Sequence, residues 1–262
     1  MPKFSAHLAW LFNEVDFPNR FERAAKAGFA GVEYPFPEGV EKERLVELLG
    51  KYQLEQVLLN LPRGKQGEIG IACLSGRETE FQEGVGRAID YAKALRCTRV
   101  NCLVGNAPPG VPSREVRQTV VQNLRFAATA LGNEGIRLLV ESVNSYENPG
   151  FYLSRTVDAL SLVADVAHPN LWLQYDIYHM QIMEGNLTKT IRDNVARLAH
   201  MQLGDVPGRH EPGTGEINFA NLFRFIDEAG YDGWIGCEYK PAGVTEEGLG
   251  WVRPYLGRKG AK

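Results

Sequence analysis

Short apolar runs alternate with longer amphipathic stretches from one end of this chain to the other. Residues 4–8, 31–34, 54–59 and 99–103 are apolar runs of strand length. Residues 17–27, stopped by Gly28, and 41–49, ended by Gly50, have the spacing of amphipathic helices. Residues 77–95 continue the pattern, with Phe81, Val85, Ala88, Ile89 and Ala92 on one side. The third strand ends at Asn60, is broken by Pro62, and gives way to a long loop through Gly64, Gly67 and Gly70. After the fourth comes the loop GNAPPGVPS, in which Ser113 reads as the N-cap of a helix running to about Leu131. Four more strands follow at 136–141, 171–176, 198–202 and 234–238. Helices at 155–166, 187–194 and 221–229 separate them, and Gly230 caps the last.

Strands that alternate with helices imply a parallel sheet covered by helices. Eight such units, with no composition shift between them, predict one α/β domain over residues 1–262, a (β/α)₈ TIM barrel. A doubly wound open sheet is the competing architecture. The last four strands argue against it, because each carries a carboxylate or amide at or near its C-terminal end: Glu141 in IRLLVE, Asp176 in LWLQYD, Gln202 in LAHMQ, Glu238 in WIGCE. The first three lie about thirty residues apart, the length of a βα unit. In a barrel these side chains converge on one face; in an open sheet they spread along a line. Carboxylates are almost never buried without a partner, so three of them and an amide, on four strands of one polarity, point to a cage for a hard divalent cation.

Each residue also has a plainer reading. Glu141 or Glu238 could form a buried salt bridge, for example to Lys240. Asp176 could cap the following helix, and Gln202 could be an ordinary buried amide. His179 stands three residues after Asp176, which places an anionic ligand and a neutral donor on one side of a turn. Three carboxylates and an amide oxygen suit Mg²⁺ or Mn²⁺ better than Zn²⁺, which prefers His and Cys. In the loop GDVPGRHEPGTGEI, Arg209 could clamp a substrate carboxylate through its planar fork, or the loop could be a solvated surface. Glu147 could meet substrate hydroxyls or belong to a polar loop with Asn144 and Asn148. His7 reads as a satisfied core histidine more than as a pocket residue.

Composition narrows the classes. A net charge of −3 gives no basic footprint for nucleic acid. No apolar run approaches the ~20 residues that cross a membrane, and the N-terminal MPKFSAHLAW lacks the core of a signal peptide. The four cysteines have no zinc spacing; they read as free thiols in a reducing cytoplasm. No GxGxxG opens a helix after a first strand, so a dinucleotide cofactor is not expected.

Four motifs carry a resemblance: VNCLVG (100–105), QYDIYHMQ (174–181), HEPGTGEIN (210–218) and GWIGCEYKP (233–241). They resemble the hydroxypyruvate isomerase family of the xylose-isomerase-like TIM barrels, beside the ketohexose 3-epimerases and the 2-oxotetronate isomerases. The resemblance covers essentially the whole chain. It implies metal ligation by Glu141, Asp176, Gln202 and Glu238, with Glu141 and Glu238 as the proton-transferring pair. It implies substrate contacts from His179, Arg209 and Glu147, the last within ESVNSYE, which is similar to the epimerase pattern ExxNxxE. Two positions depart. Ser142 stands where the family more often has Pro, and Gln202 stands where the epimerases have His.

The expected reaction interconverts hydroxypyruvate and tartronate semialdehyde through an enediolate, in glyoxylate and carbohydrate metabolism. One carboxylate removes a proton beside a carbonyl and the other returns one to the neighbouring carbon. The expected partner is a small hydroxy or keto acid, with no nucleic acid and no membrane; a homo-oligomer is compatible with this. The alternatives are a 2-oxotetronate isomerase or ketose 3-epimerase of the same barrel class and, more distantly, a metal-dependent DNA-repair endonuclease. The last would need a His-rich site, and the chain has five histidines.

Overall fold

The computed structural model describes residues 1–256; the last six residues of the expected domain lie outside the described residues. Eight strands form a closed, all-parallel barrel in chain order. They are β1 (Lys3–His7), β2 (Gly31–Tyr34), β3 (Glu55–Asn60), β4 (Arg99–Cys102), β5 (Arg137–Glu141), β6 (Leu171–Asp176), β7 (Leu198–Leu203) and β8 (Trp234–Cys237). The helices are α1 (Phe17–Lys26), α2 (Lys42–Tyr52), α3 (Glu78–Ala94), α4 (Ser113–Asn133), α5 (Thr156–Val166), α6 (Ile177–Met183), α7 (Leu187–Asn194) and α8 (Phe219–Glu228). The expected TIM barrel is the observed fold, and the open sheet is excluded by closure between β1 and β8.

Some boundaries differ, for local reasons. Gly50 does not end α2 but sits inside it, and the chain leaves the helix at Gln53, whose φ is 55°. The N–H groups of Gln53 and Leu54 close the end on the carbonyls of Gly50 and Leu49. Ser113 is the first residue of α4 rather than its cap, because the Pro112 carbonyl already accepts from Glu115 and Val116. Helix α6 went unexpected; Asp176 starts it by accepting from the Tyr178 N–H at 2.8 Å. Glu238 lies one residue beyond β8.

Side-chain alternation sets the two faces of the barrel wall. In β5, Leu138 and Val140 join the core beneath the helices, while Leu139 belongs to a small interior cluster with Val57, Leu58 and Ala199. Glu141 shares the inward phase of Leu139. In β8, Ile235 and Cys237 pack outward, which leaves Gly236 and Glu238 in the inward phase. Two strand pairs break register. One shift falls between Val32 and Glu33 and the other between Leu173 and Gln174. The second lets Ala199 fill the interior cluster while His200 and Gln202 also reach the interior, with Met201 packed outward. Bulges of this kind re-aim side chains beside functional sites.

Candidate active site

At the C-terminal end of the barrel lies a cavity of about 370 Å³. Glu141, Gln202, Glu238, His179 and Arg209 all line it. Asp176 is fully buried beside it, and one ligand atom from each of Glu141, Asp176 and His179 falls within 4.8 Å of the others. Active sites of TIM barrels occupy this face.

Glu141 is buried, and its Oε2 accepts from Asn101 Nδ2 at 2.9 Å and Gln174 Nε2 at 2.8 Å. Burial, reinforced by the charges of Glu238 and Asp176, holds its carboxyl well above the usual range; Arg209 and the Asn101 amide pull the other way. Burial likewise raises Asp176, against Arg209 and the N–H groups of Tyr178 and His179. Asp176 therefore does cap α6, and its second oxygen still faces the site. Glu238 Oε1 accepts from Trp10 Nε1 at 3.1 Å and lies 3.6 Å from His7 Nε2.

Arg209 occupies the middle of these acids. Its Nη2 is 3.0 Å from Asp176 Oδ2 and 3.2 Å from Glu238 Oε2, and its Nε donates to the Glu238 carbonyl at 3.1 Å. The guanidinium sits between the Trp10 and Tyr178 rings, 4.8 and 4.9 Å from their centroids. Burial opposes its charge, but Glu238, Asp176, Glu141 and Glu147 together raise its pKa. The salt-bridge partner of Glu238 is thus Arg209 and not Lys240. The loop carrying Arg209 is built on buried Asp205, whose carboxylate accepts from the N–H groups of Val206, Gly213, Gly215 and Ile217. Gly204 gives the arginine stem its room, since a Cβ there would lie 2.9 Å from Arg209 Cγ.

His179 has a defined tautomer. The Asn144 side-chain oxygen accepts the Glu147 N–H at 2.9 Å, so the Asn144 amide nitrogen faces His179 Nδ1 at 2.8 Å and Glu147 Oε2 at 3.0 Å. Nδ1 is then the acceptor, and Nε2 carries the proton. Burial, with the Arg209 charge, pushes His179 down to about 3, so the ring is neutral. A protonated Nε2 is a donor and not a metal ligand, which separates His179 from Glu141 and Asp176 despite its proximity. Glu147 is not among the cavity-lining residues. Its carboxylate accepts from the Tyr178 hydroxyl and from Asn144.

Gln202 donates from Nε2 to Glu33 Oε1 at 2.8 Å, and its Oε1 accepts from Gln174 Nε2 at 2.6 Å. His7, expected as a satisfied core residue, lines the cavity instead, and its Nδ1 is buried without a partner. Sequence reasoning missed Trp10, Asn101, Gln174, Tyr178 and Arg63. Gln174 and Tyr178 stood in the same QYDIYHM run as Asp176, and Asn101 in the VNCLVG motif; nothing local marked Trp10 or Arg63.

The donor set fits a hard divalent cation. Glu141 and Asp176 bring oxygens within 4.8 Å of one another, Glu238 and the Gln202 amide line the adjoining cavity, and one guanidinium stands between Asp176 and Glu238 where positive charge is required. Gln174 Oε1 and Asn101 Oδ1 are buried there without partners.

Comparison with known proteins identifies the family. The model of the family described as xylose isomerase-like TIM barrel matches residues 21–255. The chain is 51% identical over 257 residues to hydroxypyruvate isomerase of Escherichia coli, covering 97% of this chain and all of that protein. It is 41% identical over 260 residues to 2-oxo-tetronate isomerase of Cupriavidus necator, covering 98% of this chain and all of that one. A solved structure from Brucella melitensis, called AP endonuclease, family 2, superposes with a TM-score of 0.95 at 43% identity, over 98% of this chain and all of that one.

Proposed function

From the premise that the chain belongs to the xylose isomerase-like TIM barrel family, and within it to the hydroxypyruvate isomerase family, we propose that this isomerase interconverts hydroxypyruvate and 2-hydroxy-3-oxopropanoate at the cavity above β5–β8. The observation that carries the reading is the pair Glu141 and Glu238, both lining one cavity beside a guanidinium and two amides. Glu141, Asp176, Gln202 and Glu238 would hold Mg²⁺ or Mn²⁺. Such a cation would offset the repulsion among the acids and polarise the substrate carbonyl.

The chain's own residues do the rest. One glutamate takes a proton from the hydroxyl-bearing carbon beside the carbonyl, the hydroxyl proton passes to the former carbonyl oxygen, and the other glutamate, protonated, gives its proton to the former carbonyl carbon; the reverse reaction exchanges the roles. His179 donates from Nε2 to a substrate oxygen. Arg209 stabilises negative charge that develops on the enediolate, and the Trp10 and Tyr178 rings hold it level. Glu147 acts through Asn144 and Tyr178, fixing the tautomer of His179. Arg63 lines the cavity from the β3–α3 loop, exposed and with no acid partner among the described residues. The nearby Glu68 is taken by Arg77 and the Lys65 N–H. Arg63 is therefore the lining cation open to a substrate carboxylate, which favours an acid over a neutral sugar.

The cavity also has room for a four-carbon acid, so 2-oxotetronates are the second reading. An endonuclease reading has less support: of the histidines only His7 and His179 line the cavity. No described helix is long and apolar enough to cross a membrane. The four buried free cysteines support a reducing compartment such as the cytoplasm. The test is a coupled assay with hydroxypyruvate and 2-oxotetronates, with and without chelator. Turnover of hydroxypyruvate that a chelator abolishes and Mn²⁺ restores supports the reading; no turnover of either acid in the loaded enzyme ends it.

A further inference from the structure

Beneath the cavity floor lies a charged group that the mechanism above does not use. Glu33 of β2 is fully buried in the barrel interior. Its Oε2 accepts from Ser5 Oγ at 2.6 Å and lies 3.0 Å from His200 Nε2. That histidine contact is off the line of a hydrogen bond, since neither ring nitrogen of His200 has a hydrogen-bond partner. Its Oε1 accepts from Gln202 Nε2 at 2.8 Å. Gly236 exists in a form that admits it: a Cβ there would stand 2.1 Å from Glu33 Oε1. Residues of four strands (β1, β2, β7 and β8) thus shape one pocket around a carboxylate that does not line the cavity.

The consequence falls on Gln202. A glutamine amide has two ends of nearly the same shape, one an acceptor and one a double donor. Turned over, Gln202 would present NH₂ to any cation above it. Both Glu33 oxygens act as acceptors, Oε2 toward the Ser5 hydroxyl and Oε1 toward Gln202, so in this arrangement Glu33 binds the NH₂ end. The flipped amide would set two acceptor oxygens 2.8 Å apart inside a dry barrel, a contact of the kind that costs most when buried. The polarity then passes upward. Gln202 Oε1 accepts from Gln174 Nε2, and the same nitrogen donates to Glu141 Oε2. The unpartnered Gln174 Oε1 is what this polarity leaves over.

We propose that Glu33 is a positioning residue that fixes the amide of Gln202 with its oxygen, and not its NH₂, toward the cation site. The inference rests on the reading of Gln202 as a metal ligand. Glu33 touches neither cation nor substrate. It makes an ambiguous side chain behave as an obligatory oxygen ligand, as outer partners of metal ligands do.

The experiment is Mn²⁺ titration of the chelator-stripped full chain by calorimetry, for wild type, Glu33→Gln, Gln202→Glu and the double variant Glu33→Gln/Gln202→Glu. Glu33→Gln should weaken Mn²⁺ binding by ~10–100-fold, the usual effect of losing an outer partner. Gln202→Glu alone sets two carboxylates against each other and should lower Tm. In the double variant a glutamine at 33 donates to a glutamate at 202, which presents oxygen whichever way it turns. Mn²⁺ affinity and Tm should both recover. A merely structural role for Glu33 predicts no such rescue, and the double variant decides the matter even if Glu33→Gln folds poorly. Unchanged Mn²⁺ affinity in folded Glu33→Gln, or a double variant no better than the singles, overturns the inference and leaves the isomerase reading standing. Wild type that binds Mn²⁺ but turns over neither acid sinks the isomerase reading and leaves the role of Glu33 intact.

Discussion

Replacing Arg209 by Met tests whether the guanidinium supplies the positive charge of the cation-free site. Methionine keeps an apolar stem between Trp10 and Tyr178 and removes the guanidinium with its charge and hydrogen bonds. The loss is three polar contacts, at 3.0 Å to Asp176, 3.2 Å to the Glu238 carboxylate and 3.1 Å to the Glu238 carbonyl, in a place where Asp176 is fully buried. Breaking a buried pair by removing one partner costs ~3–5 kcal/mol. In a domain of this size each kcal/mol moves Tm by ~2–4 °C, so the chelator-treated variant should melt ~6–20 °C below wild type. The deficit must also depend on pH. Without Arg209 the folded-state pKa values of Glu141 and Asp176, already raised by burial and lowered by the Arg209 charge, rise further. A carboxyl raised above its unfolded value gives stability that is present at low pH and lost as pH climbs through the folded value. The gap to wild type should therefore widen as pH rises and shrink as it falls and protonation discharges Glu141 and Asp176. Adding Mn²⁺ should raise the Tm of the variant more than that of wild type, because it replaces the missing charge. Scanning calorimetry with chelator, then with Mn²⁺, measures all three. A chelated variant within about 2 °C of wild type at pH 8, or a deficit that does not change with pH, refutes the argument.

Glu141→Gln and Glu238→Gln keep an oxygen for a cation but cannot take a proton, so each should bind Mn²⁺ while kcat falls by ~10²–10⁴-fold; wash-in of solvent deuterium into the substrate should fall with it, and near-normal turnover would reduce both glutamates to ligands. Asp176→Ala should weaken the metal, seen as a higher Mn²⁺ midpoint in activity titrations with partial rescue by excess ion; unaltered metal dependence would remove Asp176 from the ligand set. Arg63→Ala should raise KM for hydroxypyruvate with kcat nearly unchanged, as loss of uniform binding does, and an unaltered KM would free the substrate carboxylate from that residue.

Strand-terminal acids were legible because barrel alternation and apolar runs are local signals. In β5 and β6 the phase that buries Leu139 also points Glu141 inward, and the sequence shows both. The phase of β7 was not legible. A strict period of two from Ala199 would turn Gln202 outward, and only the register shift beside Leu173 restores it. Bulges depend on the neighbouring strand, so no single run announces them. Helix α6 was missed because seven residues carry too little periodicity, although its cap, Asp176, had been singled out. The stack of Trp10, Arg209 and Tyr178 joins three segments distant in sequence, and no spacing rule connects them.

The barrel interior explains why the non-local parts matter chemically. A TIM barrel interior is ordinarily filled by layers of branched apolar side chains. Here an apolar layer of Val57, Leu58, Leu139 and Ala199 is followed by a polar one holding Ser5, Glu33, Gln174 and His200. The site residues stand above that layer and take their orientation from it: Glu33 directs Gln202, and Gln174 ties Gln202 to Glu141. Acids gathered for a cation repel one another until it arrives, so the site must be held by something other than their own attraction. The amides beneath hold Glu141, and Arg209 beside them holds Asp176 and Glu238. Two register shifts, in the β2–β3 and β6–β7 pairs, fall in the strands that carry Glu33, Gln174 and Gln202. The bulges and the site are then one feature, since without the shift at β7 the glutamine would pack against a helix and the carboxylate below would have nothing to orient.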